Sequence, residues 1–142
     1  MEQPKLLEIN KYLWLRKYDG YHDFALIWHQ DLELVWLIDG DEEVYSVDLL
    51  NRMYGYLSKS GECYFIEILE DGKYQPIGDV TLFKDDFAIA IGDRRYWKKG
   101  IGTKVLRDSI VNNYSYLLNN SSILIQYSYY LNKIRRTDTM IL

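Results

Sequence analysis

The segment from Glu62 to Asp93 constrains the fold more than any other part of the chain. It contains three strand-like stretches, ECYFIEILE, PIGDVTLF and FAIAIGD, with the turn signals DGK and KDD between them. Alternating apolar and polar residues in the first stretch are typical of a half-buried strand, and Asp-Gly favours a two-residue hairpin turn. The segment therefore predicts three consecutive strands in an antiparallel meander.

The flanking segments add helices and further strands. YLWLRKY, from Tyr12 to Tyr18, alternates like a strand, and a helix is expected around YHDFALIWHQ with a second short turn after Asp31. Apolar residues near helical spacing predict a helix that ends before Gly61, and another from Gly100 to about residue 118. SSILIQYSYY favours one more strand. The expected fold is a single α/β (α+β) domain, residues 1–142, with a mixed, mainly antiparallel central sheet flanked by helices.

The composition and charge of the chain exclude several classes of function. The net charge of −4 argues against general affinity for nucleic acid, which depends on neutralising many phosphates, and suits a cationic partner. Cys63 is the single cysteine, so an intramolecular disulfide and a Cys-rich zinc site are excluded. The N-terminus lacks an apolar signal core, and no apolar run approaches the roughly 18 residues of a membrane span. We expect a soluble cytoplasmic protein with no membrane partner.

One motif points to an anionic ligand. IAIGDRRYWKKGIGTKVLRDSI runs from a strand through a basic loop into Gly100-Ile101-Gly102-Thr103 and a helical pattern. Glycines allow close approach to the backbone, and the first amides of a helix attract phosphate groups. A simple turn before a helix explains the same glycines. Neither a nucleoside-triphosphate P-loop nor the dinucleotide G-x-G-x-x-G is present, because Val105 replaces the third glycine of the latter.

The longer string IGDRRYWKKGIGTKVL resembles the acetyl-CoA-binding motif of the N-acetyltransferases of the GNAT superfamily. Gly100 and Gly102 match the family glycines, whereas Trp97 stands where most members have Arg or Gln. YW-x-KGIGT is similar to the form found in aminoglycoside 6'-N-acetyltransferases and ribosomal-protein N-terminal acetyltransferases. LWLRKYD resembles the first strand of that branch and IGDVTLFKDDFAIAIGD its third and fourth strands, so the resemblance covers roughly residues 7–118.

The resemblance implies acetyl-CoA as co-substrate. The backbone near Ile91 would bind the pantetheine arm, and the amides of the following loop and helix start would hold the pyrophosphate. Asn132 matches the family Asn. The expected cofactor-binding residues are Ile91, Trp97, Lys98, Lys99, Gly100, Ile101, Gly102, Thr103 and Asn132.

The resemblance also implies a proton acceptor and an acceptor cleft. Asp86 lies where relatives that acetylate cationic amines carry an acid, although a polar hairpin turn explains KDD equally well and is the favoured explanation for Asp85. Asp93 could assist, or brace the basic loop. Tyr129 and its neighbour are the candidates for protonating the leaving thiolate. The expected catalytic residues are Asp86, Asp93 and Tyr129, and the expected substrate-binding residues are Trp28, Trp36, Tyr54 and Asp85, with core packing as the alternative for the aromatic ones.

The C-terminal segment departs from the family pattern. It ends in IQYSYYLNKIRRTDTMIL, without the helix carrying a Tyr and the Gly-Phe pair that relatives have. A sheet ending near residues 123–127 would leave an edge and an apolar face uncovered. We therefore expect either a homodimer whose second copy covers this edge or a marginally stable monomer with weak or no turnover. The expected function is acetyl transfer from acetyl-CoA to a primary amine of a small cationic acceptor, an aminoglycoside being one candidate. The alternatives are protein N-terminal acetylation and a non-catalytic acyl-CoA-binding remnant or regulator.

Overall fold

A computed structural model describes residues 2–84 and 86–114 of the 142-residue chain. Its sheet has five strands in the order β1-β2-β3-β4-β5, each antiparallel to its neighbour. The strands are β1 Leu6–Asn10, β2 Leu13–Lys17, β3 Glu62–Glu70, β4 Lys73–Leu82 and β5 Phe87–Ile91. The mixed α+β class and the meander are therefore confirmed, whereas β1 was not predicted.

Four α-helices occur within the described ranges: α1 Leu26–His29, α2 Leu32–Asp39, α3 Val47–Ser60 and α4 Ile101–Tyr114. Short 3₁₀ turns span Asp23–Ala25 and Arg94–Tyr96. α2 is a full helix of eight residues where the sequence predicted a short turn. Its start is capped by the Asp31 carboxylate, which accepts hydrogen bonds from the amides of Glu33 and Leu34, and it ends at Gly40 in the left-handed conformation.

The β3–β4 hairpin forms the centre of the sheet. Asp71 and Gly72 both have positive φ, 52° and 78°, as a two-residue type I′ turn requires. The ladder then runs to the pair Glu62 and Leu82, with one irregularity where Ile66 pairs with Gly78 but Glu67 pairs with Pro76. Pro76 lacks an amide hydrogen, so its place beside a bulge costs the ladder little.

Alternation along the strands gives the sheet two faces. Leu15, Ile66 and Val80 lie on one face and are fully buried. The other face holds Phe65 and Asp79, which are paired across β3 and β4, and α3 packs on it through Tyr54, whose ring centroid lies 5.6 Å from that of Phe65.

Contacts divide the chain into two units, residues 1–94 and 95–142. The sheet and α1 to α3 belong to the first unit, and α4 belongs to the second. The single-domain expectation for residues 1–142 stays a prediction. The predicted strand at SSILIQYSYY and the predicted dimer edge lie outside the described residues.

Candidate functional site

The end of β5 is held by its backbone. Ile91 is fully buried and pairs with Gly78 of β4. Just beyond it, the amides of Gly92 and Asp93 both donate to the carbonyl oxygen of Ile77, at 2.8 Å and 3.1 Å. Because Ile77 lies at the irregularity in the β3–β4 ladder, its carbonyl is available to receive two donors. The point where the basic loop leaves the sheet is therefore firmly placed.

Two glycines make this arrangement possible. A Cβ at Gly78 would lie 2.2 Å from the Ala90 carbonyl oxygen, and a Cβ at Gly92 would lie 2.2 Å from the Trp28 ring. Neither position has room for a side chain. Trp28, predicted to line an acceptor cleft, is 7% exposed and packs against the backbone at the end of β5.

The loop next turns sharply into a helix. Lys98 and Gly100 have φ values of 60° and 75°, in the left-handed region that non-glycine residues rarely adopt. The first intrahelical bond of α4 runs from the Lys104 amide to the Gly100 carbonyl oxygen at 3.0 Å. Ile101, Gly102 and Thr103 therefore form the first turn, where a helix lacks internal acceptors for its amides and its dipole favours an anion.

The surface beside this turn is cationic and open. A groove of about 410 Å³ is lined by Gly100, Thr103, Lys104, Arg107 and Asp108. Lys104 forms an ion pair with Asp108 at 3.5 Å, so the described residues bring two cationic groups and one carboxylate to the groove. No heavy atom lies within 4 Å of where a Cβ of Gly100 would be, and Lys98 and Lys99 are exposed. The arrangement suits a phosphate-containing ligand.

The ring of Tyr96 lies close to two cationic groups of the loop. The guanidinium of Arg95 and the ammonium of Lys99 lie 5.5 Å and 5.8 Å from the centroid of the Tyr96 ring. Trp97 is partly buried. Aromatic contacts of this kind hold long cationic side chains at a loop surface.

The proposed catalytic acids have clear structural positions. Asp86 is exposed, its carboxylate accepts a hydrogen bond from the Phe87 amide at 2.7 Å, and its carbonyl oxygen accepts one from the Phe83 amide at 2.9 Å. It thus forms part of the β4–β5 turn while the residue stays exposed. Asp93 is partly buried beside Gly92. Asp85, Tyr129 and Asn132 lie outside the described residues.

The aromatic residues expected at the acceptor cleft have different environments. Trp36 is 55% exposed on α2, whereas Tyr54 is completely buried in α3. The Tyr54 hydroxyl donates to Asp79 at 2.7 Å. The structure therefore places Trp28 and Tyr54 in the core and only Trp36 on the surface.

Sequence reasoning missed the buried carboxyl group of Asp79. Burial raises its pKa above the ordinary value, while the hydrogen bond from Tyr54 and the nearby His29 act in the opposite direction. His29 is itself buried, and its Nδ1 lies 3.0 Å from the Ala25 carbonyl oxygen. The alternation of β4 contains the signal, because Asp79 occupies the same face as the apolar Phe65.

A salt bridge ties the start of the basic loop to α2. Arg94 donates to both carboxylate oxygens of Asp31 and, at 2.6 Å, to Glu33. Hydrogen bonding from Arg94 holds the pKa of Asp31 below its usual range. Since Asp31 also caps α2, one carboxylate serves both the helix start and the loop.

Other site classes find no support in residues 2–84 and 86–114. No group of three His, Cys, Asp or Glu side chains there could hold a metal ion. Among the same residues, no helix has the length and apolarity needed to cross a membrane. Cys63 is buried, and burial raises the pKa of its thiol to about 12.

The comparisons with known proteins concern the fold alone. No protein-family model matches the chain, and no curated protein is similar to it. The crystal structure of a domain from Methanocaldococcus jannaschii DSM 2661 is similar, with a TM-score of 0.55 and 18% identity, covering 77% of this chain and 71% of that one. This similarity agrees with the α+β architecture.

Proposed function

We propose that the chain is an acetyl-CoA-dependent N-acetyltransferase that acts on a primary amine of a cationic acceptor in the cytoplasm. The main support is the turn at Lys98 and Gly100, which delivers Gly-Ile-Gly-Thr into the first turn of a helix of 14 residues. This is the local structure that the resemblance to GNAT acetyltransferases requires of YWKKGIGT.

The residues of the loop fit the anionic part of the co-substrate. The first-turn amides of Ile101, Gly102 and Thr103 would hold the pyrophosphate, because the start of a helix attracts phosphate groups and carries the positive end of the helix dipole. Lys104 and Arg107 line the adjoining groove and add positive charge. Ile91 would contribute backbone hydrogen bonds to the pantetheine arm, as the family resemblance implies.

Acetyl-CoA supplies an activated acyl group as a thioester. The acceptor nitrogen must be neutral to attack, so an ammonium group first loses a proton to a carboxylate or to an ordered water. The new N–C bond forms as the C–S bond breaks, and the departing sulfur takes up a proton. We assign the proton acceptor to Asp86, an exposed acidic residue immediately before β5.

Release of free CoA from acetyl-CoA tests this function. A thiol reagent follows the reaction with little background, because the single cysteine of the chain, Cys63, is only 1% exposed. The acceptors would be an aminoglycoside, a polyamine and a peptide with a free N-terminus. Amine-dependent release supports the proposal. Binding of acetyl-CoA without release of free CoA for any acceptor would favour the non-catalytic acyl-CoA-binding alternative. If the chain neither binds acetyl-CoA nor releases CoA, both the enzymatic and the non-catalytic function are excluded.

A further inference from the structure

The acidic residues of the chain are concentrated in one segment. Residues 18–51 contain nine Asp and Glu and neither Lys nor Arg, although the whole chain has 17 basic residues. This segment includes α1, α2 and the beginning of α3. Its local charge is thus far more negative than the net charge of −4 indicates.

Exposed apolar side chains are concentrated in the same segment. Of the ten large hydrophobic residues exposed in the described part of the chain, seven lie between residues 18 and 51. They are Tyr21, Ile27, Leu32, Trp36, Ile38, Val44 and Val47. Exposed apolar residues that occur singly need no explanation, whereas seven within one acidic segment make that segment the candidate for an interaction surface.

The central part of this surface runs from α2 to the first turn of α3. We call it the acidic–apolar face; it comprises Leu32, Trp36, Asp39, Asp41, Glu42, Glu43, Val44, Val47 and Asp48, all of which are exposed. Leu32 and Trp36 stand one helical turn apart on α2.

Hydrogen bonds fix the loop between α2 and α3. Tyr45 donates its amide to the His29 carbonyl oxygen at 3.0 Å, accepts from Gln30 Nε2 at 2.5 Å and donates its hydroxyl to Asp39. Ser46 caps α3 through the Leu49 amide. Tyr45 is therefore turned inward and 7% exposed, while Val44 and Val47 on either side of it are 41% and 56% exposed.

In the part of the chain that the structure describes, the charge of this face is largely uncompensated. Arg94 pairs with Asp31 and Glu33, outside the face. Within residues 2–84 and 86–114, the five acidic residues of the face have no Lys or Arg partner. A second copy of the same acidic face would be repelled, so a partner of opposite charge is favoured.

We propose that the acidic–apolar face binds a cationic, amphipathic polypeptide segment, in which Lys or Arg residues alternate with apolar side chains. Positive charges would meet Asp41, Glu42 and Glu43, and apolar side chains would cover Trp36 and Val44. A small polycation would use the carboxylates but not the apolar residues, so the polypeptide fits both features. The proposal does not depend on acetyl transfer.

Binding of a labelled peptide tests the proposal directly. The probe is a fluorescent peptide of about twelve Lys and Leu residues, roughly 18 Å long as an amphipathic helix. A Lys/Ser peptide of equal charge and a Glu/Leu peptide of equal apolarity are the controls. Fluorescence anisotropy should show saturable binding of the Lys/Leu peptide, weaker binding of the Lys/Ser peptide, none of the Glu/Leu peptide, and loss of affinity as salt rises.

Paired variants locate the surface. Two variants of the face should each raise the dissociation constant of the Lys/Leu peptide about tenfold. They are Trp36→Ala and the triple variant Asp41→Asn, Glu42→Gln, Glu43→Gln. Matched controls are Tyr12→Ala, an exposed aromatic residue, and the triple variant Glu2→Gln, Glu8→Gln, Asp71→Asn, all exposed acids elsewhere. The controls should bind like the parent, and circular dichroism establishes that each variant is folded.

Three outcomes overturn the proposal. If the parent binds no Lys/Leu peptide, the face has no such partner. If the controls weaken binding as much as the face variants, the attraction is a general effect of net charge. If the Lys/Ser peptide or spermidine binds as tightly as the Lys/Leu peptide, the surface is a site for small polycations instead.

Discussion

Residues 18–51 and residues 92–107 are opposites within one chain. The first segment has nine acidic residues and no Lys or Arg, whereas the second has six Lys and Arg and one acid, Asp93. The first presents side chains, with Trp36 and Val47 more than half exposed. The second segment instead offers backbone amides at the start of α4, which follows two residues in the left-handed conformation, Lys98 and Gly100. The comparison shows that a net charge of −4 hides two regions suited to ligands of opposite charge.

The largest expected effect concerns a residue outside both segments. If the basic segment binds acetyl-CoA and Asp86 takes the proton of the acceptor amine, Asp86→Asn should lower kcat/KM about 10²-fold. Asn can still accept the hydrogen bond from the Phe87 amide, so the turn should persist. Steady-state kinetics with the best acceptor measure the effect, and acetyl-CoA affinity serves as the control. An unchanged rate would make Asp86 a turn residue only.

The second prediction separates the two charged regions. Replacing both Lys104 and Arg107 by Gln should weaken acetyl-CoA binding about tenfold, because the groove loses the positive charge of both side chains. The double variant Glu42→Gln, Glu43→Gln should leave that affinity unchanged. Titration calorimetry at one ionic strength compares the two. Equal changes in both variants would mean that overall charge, rather than the groove, governs binding.

The third prediction concerns the backbone of the basic segment. Gly100→Ala places a Cβ at a φ of 75°, which should lower the free energy of unfolding by about 1 to 2 kcal/mol. Gly55→Ala is the matched control, because Gly55 also has no heavy atom within 4 Å of its Cβ position but lies inside α3 with an ordinary φ. The control should gain stability, by roughly 0.5 to 1 kcal/mol. Urea unfolding measures the free energy of unfolding of both variants. Similar changes in this free energy for Gly100→Ala and Gly55→Ala would contradict the left-handed conformation of Gly100.

The smallest effect tests the contact between the two segments. Asp31→Asn keeps a side-chain acceptor for the start of α2 but removes the charge that pairs with Arg94. Because the folded-state pKa of Asp31 is lowered, its contribution to stability is present above the ordinary pKa of 3.8 and is lost as pH falls through the folded value. Parent and variant should therefore differ slightly at pH 7 and converge in acid.

Thermal melting across this pH range measures the difference, which solvent screening keeps small. Asp48→Asn is the control, since Asp48 is exposed in the first turn of α3 and has no Arg partner among residues 2–84 and 86–114. A difference for Asp31→Asn that grows as pH falls would contradict the pairing.

The sequence predicted the central elements well because their signals are local. The bounds of β3 and the Asp-Gly turn were both expected, and so was the end of α3 at Gly61. α2 was underestimated because its pattern is not cleanly amphipathic: Leu34 and Val35 are buried, while Leu32 and Trp36 are exposed. A helix that exposes apolar residues on one side and buries them on another mixes the two signals.

The site was only partly predictable for a different reason. The loop and the helix start follow from the glycines, but the positive φ of Lys98 does not, since Lys seldom adopts it. Burial of Asp79 depends on Tyr54, which lies 25 residues earlier in another element. The roles assigned to Asp86, Asp93 and the acetyl-CoA-binding residues stay predictions, as do those of Asp85, Tyr129 and Asn132.

Calorimetric titration of acetyl-CoA into the parent chain and into Gly102→Val tests the central claim most directly. Gly102 lies in the first turn of α4, where a β-branched side chain would obstruct the closest approach of a pyrophosphate to the amides. The account predicts saturable binding by the parent and at least tenfold weaker binding by a folded variant, about 1.4 kcal/mol. Absence of binding by the parent, or equal affinity for both proteins, would contradict it.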